Sequence, residues 1–230
     1  MLNQKRRPGR PAGSSSEATR AKILAAARIC FAHTGFGLTT NRDIAERADI
    51  TPAAIYQYFD SKLALYAAVS REAISKVAAH MGDRAAVDAT LGGGLSSVIL
   101  GLVELHGRDP TLAPFLNALP TEFQRHPELA GAIDDAPQTI NEITQKIVTR
   151  GVAGGDLPAE DAPRTAAMFV ACLMGLSQFA VLFGAEAGAV AANAFADLLQ
   201  GRLLPQPPTA AVAPKRRPAT RSPKRTKPRR

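Results

Sequence analysis

The sequence predicts an all-α protein: a three-helix N-terminal head built around a helix-turn-helix, followed by a larger C-terminal helical domain. Two observations predict it. Apolar residues recur at helical spacing, and the breaks between runs fall at Asp109-Pro110, Pro120, Pro127, Gly154-Gly155, Pro158 and Gly184. The stretch 39–62 also carries two helix-start signals on either side of a tight turn.

Ser14 is expected to begin the first helix, with Glu17 completing a capping box and Ile23, Leu24, Ala27 and Phe31 as its inner stripe. Gly35 ends it. Thr40 caps the next helix, with Asp43 three residues on, and Ile44, Ala45 and Ala48 face inward. Asp49 falls where a left-handed backbone is expected, which Asp tolerates better than most residues. Thr51 then caps a helix over 52–59, with Pro52 at its first position and Ile55 and Phe59 pointing inward. Thr51, Ala53, Ala54 and Gln57 are left facing outward, with Tyr56 and Tyr58 to the sides. Small residues at the tip of a short helix let it press into a major groove.

Beyond the head, a helix from Asp60-Ser61 to about Ala79 links it to the rest, and helices follow near 88–107, 111–119, 128–153, 159–184 and 186–203. The glycines at 92–94 delay the start of the first of these. Met168–Phe183 carries no charge, and Ala189–Leu199 is mostly small and apolar. Helices apolar all round must be buried, either in a monomer core or against a second copy in a four-helix bundle.

The run through Thr40, Ile44, Ala45, Ala48, Ile50, Thr51, Ile55, Tyr56, Tyr58, Phe59, Ser61 and Lys62 resembles the DNA-binding signature of the TetR family of bacterial regulators. Phe31, Gly35 and Phe36 fit the same pattern, and Asp49 stands where the family usually has Gly. The resemblance covers roughly 15–65 and implies double-stranded DNA as partner. It also implies a homodimer joined through the last two long helices, and regulation, expected to be repression, of a palindromic operator. With the geometry, it assigns Thr51, Ala53, Ala54 and Gln57 to base edges, and Thr40, Tyr56, Tyr58 and Lys62 to phosphates. Arg42 joins the phosphate set from its expected face alone.

The net charge of +8 divides unevenly: residues 1–13 carry +4, 205–230 carry +9, and 14–204 carry −5. Flexible basic arms on a mildly acidic body suit a polyanion. Arg6, Arg7 and Arg10 lie in the first arm, where Arg7-Pro8-Gly9-Arg10-Pro11 resembles an AT-hook core that follows a narrow minor groove. The expected organisation is a basic arm at 1–13, a DNA-binding head at 14–62, a ligand-binding and dimerisation domain at 63–204, and a basic tail at 205–230.

A small apolar effector is the second expected partner. Phe115, Phe123 and Phe169 would wall its pocket, with Leu116, Met168, Met174, Phe179 and Phe183 nearby and His106, Asn141 and Gln178 as polar groups. The same apolar residues equally suit a filled core. His33, His80, His106 and His126 do not cluster at metal-ligand spacing. No nucleophile–base pair, phosphate loop or paired carboxylate stands out, so no enzyme, metal or cofactor is expected. Cys30 and Cys172 read as buried thiols. No run is expected to span a membrane, and a cytoplasmic location follows. The competing expectation is a DNA-compacting protein of nucleoid type, in which the arms dominate.

Overall fold

The computed structural model describes residues 12–133 and 136–202, and these are all-helical apart from turns. The arm residues Arg6, Arg7 and Arg10, the tail from 203, and Asp134-Asp135 lie outside the described residues.

α1 (Ala12–Leu38) begins before Ser14, which therefore lies inside the helix rather than capping it. Gly35 interrupts it at φ 77°, and a single further turn follows. A Cβ at Gly35 would stand 3.0 Å from the Glu122 carboxylate, so both conformation and space call for glycine there. α2 (Asn41–Ala48) and α3 (Pro52–Tyr56) form the helix-turn-helix. α3 is shorter than expected, because the chain turns at Gln57 and Tyr58 to drive Phe59 into the core. α4 (Lys62–Ala85), capped by Ser61, runs past the expected end at Ala79 because Met81 and Ala85 are also buried.

α5 (Leu91–Arg108) starts at Thr90, whose hydroxyl accepts from the Gly93 amide at 3.1 Å. α6 (Leu112–Arg125) passes straight through Pro120, where a break was expected. Pro120 sits on the exposed side, whereas Leu112, Phe115, Leu119 and Glu122 bury the other, so packing outweighs the local penalty. The expected helix over 128–153 is instead two, α7 (Pro127–Ala130) and α8 (Ala136–Gly154). A 3-10 turn (Ala159–Asp161) leads into α9 (Ala162–Phe183). Gly184 at φ 95° reverses the chain into α10 (Ala185–Leu199), and a Cβ at Gly188 would fall 2.4 Å from that of Ala180. Only glycine lets these two helices lie so close.

Two apolar cores result. The first joins α1–α3 and the first half of α4 around Phe31, Ile44, Ile55 and Tyr66, and α6 completes it with Leu112, Phe115 and Leu119. The head therefore borrows part of its core from beyond residue 62. The second joins the rest of α4 to α5, α8, α9 and α10 around Met81, Leu95, Ile99, Ile147 and Phe169.

α9 departs from expectation. Its uncharged run reaches from Thr165 to Ala185. With the preceding turn it forms a 25-residue helical stretch with an 18-residue window of mean hydropathy 2.1, long and apolar enough to cross a bilayer by length and composition. Only 17% of that window is buried within the chain. Ala166, Phe169 and Leu173 make the inner stripe, while Met174, Leu182 and Phe183 on α9 and Val190 on α10 stand exposed. Cys172, expected buried, is half-exposed.

Candidate nucleic-acid interface

α2 and α3 are set by short-range bonds that the sequence encodes directly. The Thr40 hydroxyl accepts from the Asp43 amide at 3.2 Å, and the Asp43 carboxylate accepts from the Thr40 amide at 2.9 Å and hydroxyl at 2.7 Å. These bonds, hydroxyl first, hold the Asp43 carboxyl below its ordinary range. Asp49 adopts φ 54°, ψ 51°, the left-handed turn expected of it. The Thr51 hydroxyl accepts from the Ala54 amide at 3.2 Å. Ile55 and Phe59, at 1% and 6% exposure, anchor the helix to the head.

The opposite side is open. Thr51, Ala53 and Gln57 are exposed and Ala54 half-buried; Arg42, Thr40 and Tyr56 are exposed, and Tyr58 is half-buried. The set expected to face bases thus carries small and uncharged side chains and is largely accessible. On the anchored side, Arg20 of α1 holds its guanidinium 5.4 Å from the Phe59 ring centre.

Lys62 is placed otherwise than expected. It stands at the start of α4, but its ammonium donates to the carbonyls of Phe36 at 2.8 Å, Thr39 at 3.0 Å and Gly37 at 3.4 Å. It also sits 4.5 Å from the Phe36 ring centre. All three of its donors are directed at backbone carbonyls here. Its work is to satisfy carbonyls freed where α1 breaks at Gly35. Lys62→Met is therefore expected to cost about 1–3 kcal/mol of stability in chemical denaturation. A phosphate contact predicts unchanged stability and weaker DNA binding instead.

Two more polar contacts join the head to the larger domain. Arg28, 4% exposed, donates from Nε to the Thr111 hydroxyl at 2.8 Å and from Nη2 to the Asp109 carboxylate at 2.6 Å. Burial alone would raise the Asp109 pKa; the Thr111 hydroxyl bond, the Arg28 charge and the Thr111 amide outweigh it and hold the carboxyl below its ordinary range. At the other end of α6, the buried Glu122 carboxylate accepts the Phe36 amide at 2.7 Å, and His126 packs edge-on to the Phe36 ring at 5.1 Å. Sequence reading missed both contacts. The available signal was a charge on an apolar stripe: Arg28 among Leu24, Ala27 and Phe31, Glu122 between Leu119 and Phe123.

Beside α6 lies a cavity of about 530 Å³ between α5, α9 and α10. Ile99, Leu102, Val103 and Leu176 supply aliphatic wall; His106, Ser177 and Glu186 are its polar side chains. Burial lowers the His106 pKa against the opposing pull of Asp109, leaving a neutral imidazole near pH 7. Of the expected pocket residues, His106 lines this cavity and the other five do not. Phe115 and Phe169 are buried as core, Phe115 against Tyr66 with ring centres 5.5 Å apart, and Phe123 packs on the first core. Asn141 and Gln178 are exposed, since the polar edges of α8 and α9 turn to solvent. Among the described residues no group of His, Cys, Asp or Glu is set to hold a metal ion.

Residues 23–69 match the family model of bacterial regulatory proteins of the tetR family. No curated protein sequence matches the chain. Among solved structures, the transcriptional regulator FadR from Bacillus subtilis, in complex with stearoyl-CoA, is 21% identical with a TM-score of 0.68, over 79% of this chain and 98% of that one. The fatty acid degradation regulator FadR from Bacillus halodurans is 18% identical with a TM-score of 0.69, over 87% and 99%. Salmonella enterica GusR is 24% identical with a TM-score of 0.65, over 87% and 99%. Identities this low establish a shared fold.

Proposed function

We propose that the chain is a DNA-binding transcriptional regulator of the tetR family, whose model matches residues 23–69, and that it is a dimeric repressor released by a small apolar effector. One observation carries the effector half: α6 is at once a wall of the cavity and the helix tied to the head at both ends, by Asp109–Arg28 and by Glu122–Phe36. A ligand that repositions α6 acts directly on α1, in addition to the route through the connecting helix α4. Such a ligand favours a head arrangement of lower DNA affinity. Stearoyl-CoA in the Bacillus subtilis neighbour supports a ligand-responsive C-terminal domain here.

The dimer is supported by the open apolar faces of α9 and α10. Their exposed Met174, Leu182, Phe183 and Val190 would be covered by the same helices of a second copy, an isologous interface. The chain would then be cytoplasmic, with α9 buried between copies rather than in lipid. Met174→Asp combined with Phe183→Asp is expected to weaken the dimer by about 100-fold or more, read by analytical ultracentrifugation. An unchanged sedimentation profile would place the interface elsewhere.

In the dimer, two α3 helices enter successive major grooves about 34–36 Å apart. Thr51, Ala53, Ala54 and Gln57 approach base edges, while Thr40, Arg42, Tyr56 and Tyr58 approach phosphates. Genomic fragment selection followed by footprinting tests this, and a single protected palindrome is expected. Sequence-blind coverage of long DNA would favour the compacting alternative, in which the arm with Arg6, Arg7 and Arg10 and the basic tail dominate.

A further inference from the structure

The cavity is uneven in what it offers a ligand. Among its lining side chains no Lys or Arg is present, and Glu186 is the one charge. Glu186 has no ion pair among the described residues, whereas several cations of the same domain are paired. Arg84 and Arg108 pair with Glu104, Arg164 with Asp161, and Arg202 with Asp197. Glu186 lies in the first turn of α10 and so occupies the positive end of that helix, which would otherwise suit an anionic ligand. Ser177 spends its hydroxyl proton on the Asn117 side-chain carbonyl at 3.0 Å, so it faces the cavity as an acceptor. The His106 imidazole contributes one donor and one acceptor and no charge. Acceptors outnumber donors, and the surrounding wall is aliphatic.

We propose that this cavity takes lipophilic amines in preference to the matching carboxylates, a claim resting on its being the effector site. An ammonium meets the Glu186 carboxylate and the Ser177 oxygen at the mouth while its apolar body fills the space between α5 and α9. A carboxylate would lose its hydration beside a like charge with no cation to replace it, a costly exchange. A cavity of about 530 Å³ holds an apolar molecule of drug-like size.

The test uses the full-length protein and three probes of one skeleton at pH 7: 4-phenylbutylamine, 4-phenylbutanol and 4-phenylbutyrate, titrated by calorimetry. The amine is expected to bind at least about tenfold more tightly than the carboxylate, with the alcohol between them. Glu186→Gln, at an exposed position, is expected to reduce the amine affinity about fivefold and leave the alcohol unchanged. Val103→Trp, which fills the cavity, is expected to weaken all three. Carboxylate binding equal to or tighter than amine binding overturns the charge preference and leaves the effector role standing. Absence of binding, or binding indifferent to Val103→Trp, overturns the effector role and the preference together.

Discussion

Ala53→Glu is expected to abolish most operator binding while leaving the fold intact. Ala53 is exposed at the second position of α3, on the face that Thr51 and Gln57 share. A carboxylate there meets a phosphate-lined groove, and its bulk prevents the tip of α3 from seating. Together these are worth about 2–3 kcal/mol, or roughly 30- to 150-fold in affinity. The same substitution places an acid in the first turn of a helix, which is neutral or mildly favourable for folding. The pairing of measurements is therefore diagnostic: weaker operator binding by fluorescence anisotropy with an unchanged melting temperature. Unaltered binding would show that this face does not enter the groove.

The largest effect on stability is expected at the joint between Arg28 and Asp109. Asp109→Ala removes the partner of a buried guanidinium whose Nη1 already lacks a hydrogen bond, leaving most of a buried charge uncompensated. Breaking a buried pair from one side costs about 3–5 kcal/mol, and Asp109 is partly open, so the lower end applies. Arg28→Met combined with Asp109→Ala should recover much of that loss, because no orphaned charge remains. The pair also has a pH signature. The Asp109 carboxyl is held below its ordinary range, so its contribution is complete above the unfolded carboxylate pKa of about 3.9 and is lost as pH falls through the lower folded value. Urea melts of wild type and Asp109→Asn should converge in that acidic window and separate above it. Parallel curves at every pH would show that the carboxylate charge contributes nothing.

What could be read from the sequence follows from the range of the forces involved. Thr40 with Asp43, Asp49, and Thr51 with Pro52 act on backbone groups within three residues, and each sits in the structure as its chemistry requires. The exposed face of α3 follows from the inward pull of Ile55 and Phe59. The bonds that cross between domains link residues far apart in the chain, and no local pattern names such partners. Lys62 illustrates the difference: a cation at a helix start suggests an anion site, until the carbonyls of Phe36 and Thr39 are found beside it. Pro120 is the converse, a strong local stop overridden by Phe115 and Leu119 packing on the far side of the helix. The pocket went astray for a volumetric reason. Large aromatic rings such as Phe115 and Phe169 fill space, and the cavity opens where aliphatic and small residues meet.

The grip of Lys62 on the end of α1 has a mechanical corollary. Its ammonium clasps the chain just ahead of α2 from the first residue of α4, so the reading head is bolted to the near end of that long rod. A swing of α4 therefore carries the head as one piece instead of bending it, and a few degrees at the hub become ångströms at the tip. In the proposed dimer the separation of the two tips would follow the tilt of α4 together with the set of α6, so a modest displacement far from the DNA would throw them out of step with the double helix.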